Sequence, residues 1–226
     1  MKKAFFLAAA LLALCSCTFN INGGNAKTIR GEGAVETREL ALSGFDKLVV
    51  NGHADITFTQ TDGLWGVSVR TQENIFDYLD YHVDGTTLIL EYKEQVNIRA
   101  EEFDVCISAP LLKDVVVNGA SDFKARQGIR SPEAFSFTVN GAGDMDLNGV
   151  VCPSLNIAVN GAGDIDMEAI DVQTLSITIN GAGDAMVSGK AVEANFSVSG
   201  VGGIDATKLQ AEKVEKNVSG LAKVKL

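Results

Sequence analysis

Between residues 134 and 189 the chain repeats one phrase three times, as AFSFTVNGAGDMDL (134–147), SLNIAVNGAGDIDM (154–167) and LSITINGAGDAMV (175–187). The glycine that closes the turn of this phrase recurs at steps of 19 to 22 residues, at Gly119, Gly141, Gly161, Gly181, Gly200 and Gly220. A period of about 20 residues is typical of a solenoid, because so short a repeat cannot bury its apolar face alone. The repeat therefore predicts stacked coils.

Apolar residues alternate with polar or small residues on both sides of the turn. In the first copy Phe137 and Val139 precede the turn, and Met145 and Leu147 follow it. Alternation with a period of two is typical of strands that bury one face, and no segment keeps a helical spacing of about 3.6 beyond two turns. We therefore predict an all-β fold, a parallel β-helix with coils of about 20 residues, whose inward positions extend to Leu226 in the last coil.

Residues 1–16 have the features of a lipoprotein signal peptide. Two lysines precede an apolar run from Ala4 to Leu14 that is too short to span a membrane as a helix. The sequence Leu14-Cys15-Ser16-Cys17 resembles a bacterial lipobox with Cys17 as the lipidated thiol, and an ordinary secreted protein is the alternative. A lipid on Cys17 would anchor the protein to a membrane. We expect the outer membrane, and favour its periplasmic side over the cell surface.

The remaining sequence is expected to divide into a tether and one domain. Residues 17–33 are polar and glycine-rich, which predicts a flexible tether. The β-helix domain is expected over residues 34–226, with Phe45 to Phe58 as its first coil and regular repeats over 111–226. Residues 59–110 are less regular, and they either continue the coils or form an insertion.

Charge and cysteine content restrict the partners and the covalent structure. The formal net charge of −10 opposes binding to nucleic acid and to anionic lipid headgroups, so we expect no nucleic-acid partner. Two of the four cysteines, Cys106 and Cys152, lie in strand-like runs beyond the signal. An oxidising envelope allows a bridge between them, and separate buried thiols are the alternative.

Stacking the coils would place equivalent side chains in rows about 4.8 Å apart. The first row, Asn118, Asn140, Asn160 and Asn180, is predicted to be a structural ladder of amide hydrogen bonds, which we call the asparagine ladder.

The second row, which we call the aspartate row, consists of Asp122, Asp144, Asp164 and Asp184. Neighbouring carboxylates at this spacing repel by about 1 kcal/mol even in water, so something must compensate for the charge. Hydrogen bonds from backbone N–H groups of the turns are the favoured explanation, and a file of Ca²⁺ ions is the alternative. We expect no other cofactor.

A candidate ligand site lies in the irregular region, where the large amphipathic aromatic residues are concentrated. Its members are Trp65, Tyr78, Tyr81, His82 and Tyr92. Aromatic side chains beside polar groups are suited to binding sugars or protein surfaces. The alternative is that these residues pack beneath an irregular loop or cap the end of the domain.

The sequence offers little to support catalysis. It has two histidines and lacks the HExxH, nucleophile-elbow, P-loop and CxxC patterns. The aspartate row could imitate paired catalytic carboxylates, but its regularity is better explained by turn chemistry. We predict no catalytic residues, and a polysaccharide-active β-helix enzyme is the least favoured alternative.

The repeated VNGAGD and INGAGD motifs, behind a lipoprotein signal, resemble the family of autotransporter adhesin head GIN domains found in Bacteroidetes envelope proteins. The resemblance covers residues 45–226 and implies a right-handed parallel β-helix and an adhesin-like role, with no catalytic residues to carry over. We therefore expect a cell-envelope lipoprotein that binds a glycan or a protein without catalysis. A passive structural spacer that associates with copies of itself is the second hypothesis.

Overall fold

The structure, a computed structural model, describes residues 26–93 and 96–226. The predicted signal peptide and the predicted lipidation site, Cys17, lie outside the described residues. The described part is all-β, as expected, with one short 3₁₀ helix at Glu73–Tyr78. No helix among the described residues is long and apolar enough to cross a membrane.

Two groups of strands follow one another along the chain. The N-terminal group is β1 (Lys27–Arg30), β2 (Val35–Leu40), β3 (Lys47–Asn51), β4 (Asp55–Gln60), β5 (Gly66–Gln72), β6 (Leu79–Asp84), β7 (Thr87–Tyr92), β8 (Val96–Arg99) and β9 (Phe103–Ala109). The C-terminal group is β10 (Asp114–Val117), β11 (Asp122–Ala125), β12 (Ile129–Arg130), β13 (Phe135–Val139), β14 (Met145–Asn148), β15 (Val150–Ala162) and β16 (Ile165–Lys225). β16 is continuous in hydrogen bonding and includes several turns of the repeat.

Strands in the C-terminal half pair in parallel with the strand one repeat away. Leu155 of β15 lies opposite Leu175 of β16, and Asn160 lies opposite Asn180. On the other side of the turn, Met145 of β14 lies opposite Ile165. Because the register advances by one full repeat, each side chain has the equivalent residue of the next repeat as its neighbour. This register is the basis of the rows described below.

The order of the coils in space differs from their order in sequence. β3 lies between β7 and β10, with Leu48 opposite Leu88 on one side and opposite Val115 on the other. In the same way β4 lies between β9 and β11. The segment that we expected to be the first coil, Phe45 to Phe58, is therefore second in space, since the chain runs back and places β7 and β9 outside it.

Antiparallel strands are added where the parallel stack ends. β5 pairs antiparallel with β9, β2 pairs antiparallel with β5, and β6 pairs antiparallel with β7. Residues 59–110 thus contribute two parallel strands to the stack and two antiparallel strands at its margin. Lys27–Arg30, at the end of the segment that we expected to be a flexible tether, forms β1 and pairs with β8.

The core is a column of inward-facing side chains from successive coils. Phe137, Ile157 and Ile177 are each at most 2% exposed. Aromatic rings pack against one another in this core: Phe58 stacks on Phe123 with centroids 6.4 Å apart, and Phe137 packs at a tilt against Phe123 with centroids 5.1 Å apart. One inward prediction is wrong: Leu226 is 57% exposed, because none of the described residues covers it.

The two cysteines of the described part do not form a bridge. Cys106 is exposed on β9, and Cys152 is buried on β15. Burial raises the pKa of the Cys152 thiol. The sequence left open a disulfide bridge or two separate buried thiols. The structure has separate thiols, and only Cys152 is buried.

Candidate functional site

The asparagine ladder holds the turns together by side-chain hydrogen bonds. Asn118 Nδ2 donates to Asn51 Oδ1 over 3.0 Å, and the donors Asn140, Asn160 and Asn180 repeat this geometry, each at 3.0 Å from the preceding amide oxygen. All four bonds point the same way, from the C-terminal coils towards Asn51. The amide is suited to this position because it carries a donor and an acceptor at once.

The aspartate row is bonded from one coil to the next. The backbone N–H of Asp144 donates to Asp122 Oδ1 over 3.0 Å, and the Asp164 and Asp184 amides repeat this contact with the preceding carboxylate at 2.9 Å. A charged acceptor strengthens such bonds. One oxygen of each of the first three carboxylates is thus engaged by the backbone, as the favoured explanation of the row requires. The bond comes from the next coil rather than from the residue's own turn.

Alanine and glycine residues between the two rows form the floor of a long open groove. Its volume is about 790 Å³, and the floor includes Ala120, Ala142, Ala162 and Ala182. The aspartate row forms one of its sides. We call it the Ala-Gly groove. It runs from the turn of His53 to that of Val201, and five steps of about 4.8 Å make it about 24 Å long.

The groove exists because glycine is required beside the alanines. A Cβ atom on Gly163 would overlap the backbone carbonyl of Gly143, and one on Gly183 would overlap that of Gly163. The backbones of successive turns therefore approach closely, and the exposed alanine methyl groups are the largest apolar groups on the floor. A long, shallow, straight channel results.

One end of the groove is closed by a packed group of aromatic residues. Tyr92 Oη lies 2.9 Å from His53 Nδ1, and the hydroxyl also donates to the His53 carbonyl over 2.7 Å. The Phe103 ring packs edge-on against His53, with centroids 5.5 Å apart. Burial lowers the pKa of His53, which the Asp55 charge partly offsets, and burial raises the pKa of Tyr92 to about 12. Both groups are therefore neutral at pH 7.

A second, smaller depression lies on the other side of the aspartate row. Its volume is about 360 Å³, and Asp146, Asp166 and Met186 contribute to its lining. Arg126 forms an ion pair with Asp146 at its margin. The aspartate row therefore stands as a ridge of carboxylates between two depressions.

The aromatic residues proposed from sequence as a ligand site are used mainly in packing. Tyr78, Tyr81 and Tyr92 are partly buried against the core, and burial raises the pKa of Tyr81 as well. The Trp65 indole N–H donates to the Phe45 carbonyl over 2.9 Å, and the side chain remains 41% exposed. Of the five residues, Tyr92 contacts the end of the Ala-Gly groove through His53.

One cluster in the described part of the chain could hold a metal ion. It consists of Asp80, His82 and Glu91, whose ligand atoms lie within 4.8 Å of one another. The aspartate row does not supply a comparable three-ligand group among those residues. His82, which sequence reasoning grouped with the aromatic residues, thus has carboxylates as its nearest polar partners.

Sequence reasoning missed the Ala-Gly groove, although its signal was present. The NGAGD turn places alanine two residues after asparagine in three consecutive repeats. We interpreted the charged and amide rows and gave no role to the small residue between them. In a stacked fold, a row of alanines beside close-packed glycines is enough to indicate a channel.

The parallel register of one repeat and the groove along the turns define an all-β repeat protein with an extended surface channel. The chain belongs to the family described as "Putative auto-transporter adhesin, head GIN domain", whose model matches residues 44–226. This is the family to which the VNGAGD and INGAGD motifs pointed.

Several solved structures are similar to this chain. A "putative lipid binding protein" from Parabacteroides distasonis has 28% identity and a TM-score of 0.80, over 88% of this chain and 84% of that one. A "putative adhesin" from Bacteroides fragilis has 20% identity and a TM-score of 0.72, over 87% and 98%. A second "putative adhesin", from Parabacteroides merdae, has 17% identity and a TM-score of 0.53, over 88% and 98%. No functionally curated protein is significantly similar to this chain.

Proposed function

We propose that this protein is a lipid-anchored envelope module that binds an extended, uncharged glycan in the Ala-Gly groove and does not act on it chemically. In this proposal Cys17 carries the lipid, the outer membrane is the support, and the stacked coils form a right-handed parallel β-helix. The main support is the shape of the groove, a straight channel about 24 Å long with four equivalent turns along its central part.

A repeating channel is suited to a repeating ligand. The four central turns of the groove each present one alanine methyl and one carboxylate at the same relative position, so a polymer that advances by one unit per coil meets the same contacts repeatedly. Such contacts are weak singly, and they add along the length of the polymer. Alanine methyl groups are small enough to let a sugar ring lie flat on the floor.

The carboxylates of the aspartate row are suited to hydroxyl donors. Asp122, Asp144 and Asp164 each use Oδ1 for a backbone N–H, which leaves Oδ2 to accept from a ligand. A sugar hydroxyl donates such a bond, whereas a carboxylate or phosphate would be repelled. The similar protein named for lipid binding makes an acyl chain the competing ligand, and the ridge of negative charge disfavours lipids with an anionic headgroup.

Binding without catalysis accounts for the groove more simply than hydrolysis does. The carboxylates of the row are equivalent and exposed, whereas a glycosidase needs two carboxyl groups with different environments and different roles. The Nδ1 atom of the imidazole at the groove end is in contact with the Tyr92 hydroxyl. The family and its structural relatives carry adhesin or binding names, which supports the same choice.

The experiment is a calorimetric titration of the full chain with neutral, acidic and amino oligosaccharides and with a fatty acid. We expect saturable binding of a neutral oligosaccharide with no change in its mass. Ala162→Tyr, which fills the channel at its centre, should weaken binding at least about tenfold, or about 1.4 kcal/mol.

The matched control is Gln173→Tyr, which adds the same side chain at an exposed position outside the groove lining. Equal affinity of the two variants would contradict the groove as the site. If only the fatty acid bound, the ligand would be a lipid rather than a glycan. If the oligosaccharide became shorter, the protein would be an enzyme rather than a binding module.

A self-associating spacer is the second candidate, and one observation favours it. The last coil exposes large apolar side chains, among them Leu221 at 82% and Leu226 at 57%. An exposed apolar patch at the open end of a stack is suited to a second copy. Sedimentation velocity tests this candidate: a dimer that Leu221→Lys dissociates would support it, and a monomer at all concentrations would reject it.

A further inference from the structure

The hairpin of β6 and β7 brings three metal-ligating side chains to one face of its two strands. Asp80 lies directly opposite Glu91, and His82 is two residues along the same strand as Asp80. Residues i and i+2 of a strand share a face, and cross-strand partners do as well. The ligand atoms of the three side chains therefore converge to within 4.8 Å of one another.

The distance between two of these atoms matches a shared ion better than a hydrogen bond. His82 Nδ1 and Asp80 Oδ1 are 3.4 Å apart. The Nδ1 atom is shielded from solvent and has no hydrogen-bond partner among residues 26–93 and 96–226. Two ligands at about 2.1 Å from one ion, at the tetrahedral angle, are about 3.4 Å apart.

The charges of the cluster need a cation that the described residues do not supply. Asp80 and Glu91 are carboxylates facing each other across two strands, an arrangement that destabilises a sheet. No lysine or arginine of the described part of the chain forms an ion pair with either of them; the one ionisable nitrogen within 4 Å is His82 Nδ1, which lies beside Asp80. A bound divalent ion would neutralise both carboxylates.

Glu91 is also held in place by a partner outside the cluster. Asn51 Nδ2 donates to Glu91 Oε2 over 3.0 Å, so Oε2 is engaged and Oε1 is left as the ligand atom. Asn51 in turn accepts from Asn118, the next amide of the asparagine ladder. The ladder thus ends with an amide donor on this carboxylate, which fixes the position of its Oε2 atom. Hydrogen bonds that orient ligands in this way are usual around metal sites.

We propose that Asp80, His82 and Glu91 form a site for one divalent transition-metal ion of the Zn²⁺ type. One imidazole nitrogen and two carboxylate oxygens suit Zn²⁺ better than Ca²⁺ or Mg²⁺, which prefer sets of oxygen ligands. Three protein ligands leave a fourth position of a tetrahedral ion open to water or to a ligand group. The site is separate from the glycan proposal and does not depend on it.

The test is a calorimetric titration of the full chain with ZnCl₂, CaCl₂ and MgCl₂, after accessible thiols are blocked with N-ethylmaleimide. We expect one Zn²⁺ per chain, with Ca²⁺ and Mg²⁺ binding at least about tenfold more weakly. His82→Ala should abolish Zn²⁺ binding. His53→Ala, which removes the other histidine, should leave it unchanged, and loss in that variant instead would overturn the proposal.

A matched pair of variants, Asn51→Ala and Asn160→Ala, tests the contact between the asparagine ladder and Glu91. Asn51→Ala should weaken Zn²⁺ binding by about tenfold or more. Asn160→Ala removes ladder bonds without touching Glu91 and should leave the affinity unchanged.

A spectroscopic measurement on the unmutated protein guards against variants that fail to fold. Co²⁺ should give an intense visible band typical of a tetrahedral site, and Zn²⁺ should displace it. Co²⁺ should also broaden the NMR signals of the His82 imidazole at lower concentrations than it broadens those of His53. Absence of a saturable visible band, or equal broadening of both rings, would overturn the site.

Discussion

Gly181 shows how strongly a single residue of the turn is constrained. Its φ of 150° lies in the region that L side chains rarely adopt, and a Cβ atom there would overlap the carbonyl oxygen of Gly161. Any substitution at Gly181 is therefore destabilised in two ways, by backbone strain and by steric overlap with the neighbouring coil. Gly44 separates these costs, because its φ is also positive, at 81°, while nothing lies within 4 Å of an added Cβ.

We predict that Gly181→Ala lowers the free energy of unfolding by about 3 kcal/mol or more, since backbone strain and overpacking act together. Gly44→Ala should cost about 1 to 2 kcal/mol, because strain acts alone. Urea denaturation followed by circular dichroism measures both values. Equal losses in the two variants would show that the coils do not pack as closely as the structure has them.

His53 makes the stability of the fold depend on pH. Burial lowers its pKa below the ordinary value of 6.5. As the pH falls below 6.5, His53 is therefore protonated in the unfolded chain before it is protonated in the folded chain. The stability that neutral His53 contributes is therefore present above pH 6.5 and is lost as the pH falls through the folded-state pKa.

We predict that, between about pH 7 and about pH 5, the unmutated protein loses more stability than His53→Ala does. Alanine is the residue that the later repeats carry at this position, as at Ala142 and Ala162. Urea midpoints measured at several pH values give the comparison. A larger loss in the variant would mean that the imidazole gains a proton on folding.

Neighbouring side chains attract one another in the asparagine ladder and repel one another in the aspartate row. Each amide of the asparagine ladder donates to the one before it, so neighbours attract. Asp122, Asp144 and Asp164 of the aspartate row each accept a backbone bond, but neighbouring carboxylates of the row repel one another by about 1 kcal/mol per pair. The aspartate row therefore costs stability that another arrangement of the same turn would not, which is typical of residues kept for binding.

We predict that Asp164→Asn stabilises the protein by about 2 kcal/mol at low salt, because the charge between two repelling neighbours is lost while the amide oxygen keeps the bond from the Asp184 N–H. The gain should shrink as salt is added, since salt screens the repulsion. Asp164→Ala serves as the control, because it removes the acceptor as well as the charge. Thermal unfolding at low and high salt measures both variants, and an Asp164→Ala variant as stable as Asp164→Asn would show that the backbone bond contributes nothing.

At the scale of the whole molecule, the described strands form a stack closed at one end and open at the other. β5 and β6 add antiparallel strands beside the first coils. No strand among residues 26–93 and 96–226 covers the last coil in this way, and the exposed residues of its final part include Val218 and Leu221. In a stack of repeats each coil depends on its neighbours, so an uncovered terminal coil is the least stable.

We predict that amide hydrogens of residues 209–226 exchange much faster than those of residues 135–188, where coils lie on both sides. Hydrogen exchange followed by mass spectrometry measures this along the chain. Protection of the last coil equal to that of the centre would indicate that it is covered in solution, as the spacer hypothesis requires.

Periodicity explains which parts of the molecule could be predicted from sequence. Phe137 and Val139 have equivalent surroundings in every coil, so their burial follows from the pattern alone. The position of the strand at Leu48, between Val115 and Leu88, depends on pairings at long and unequal sequence separations, which follow no period. Tyr81 is similar, because its burial follows from a hairpin that the sequence does not reveal. The Ala-Gly groove needed the close approach of successive backbones, which appears when the coils are stacked.

The role of the Ala-Gly groove as the binding surface is best tested by NMR of protein labelled at alanine methyl groups. During titration with a neutral envelope oligosaccharide, we expect the signals of Ala142, Ala162 and Ala182 to shift together and to saturate at one ligand concentration. The buried methyl groups of Ala191 and Ala194 should stay in place. Saturable binding that leaves the three groove signals unmoved would contradict the groove as the binding surface.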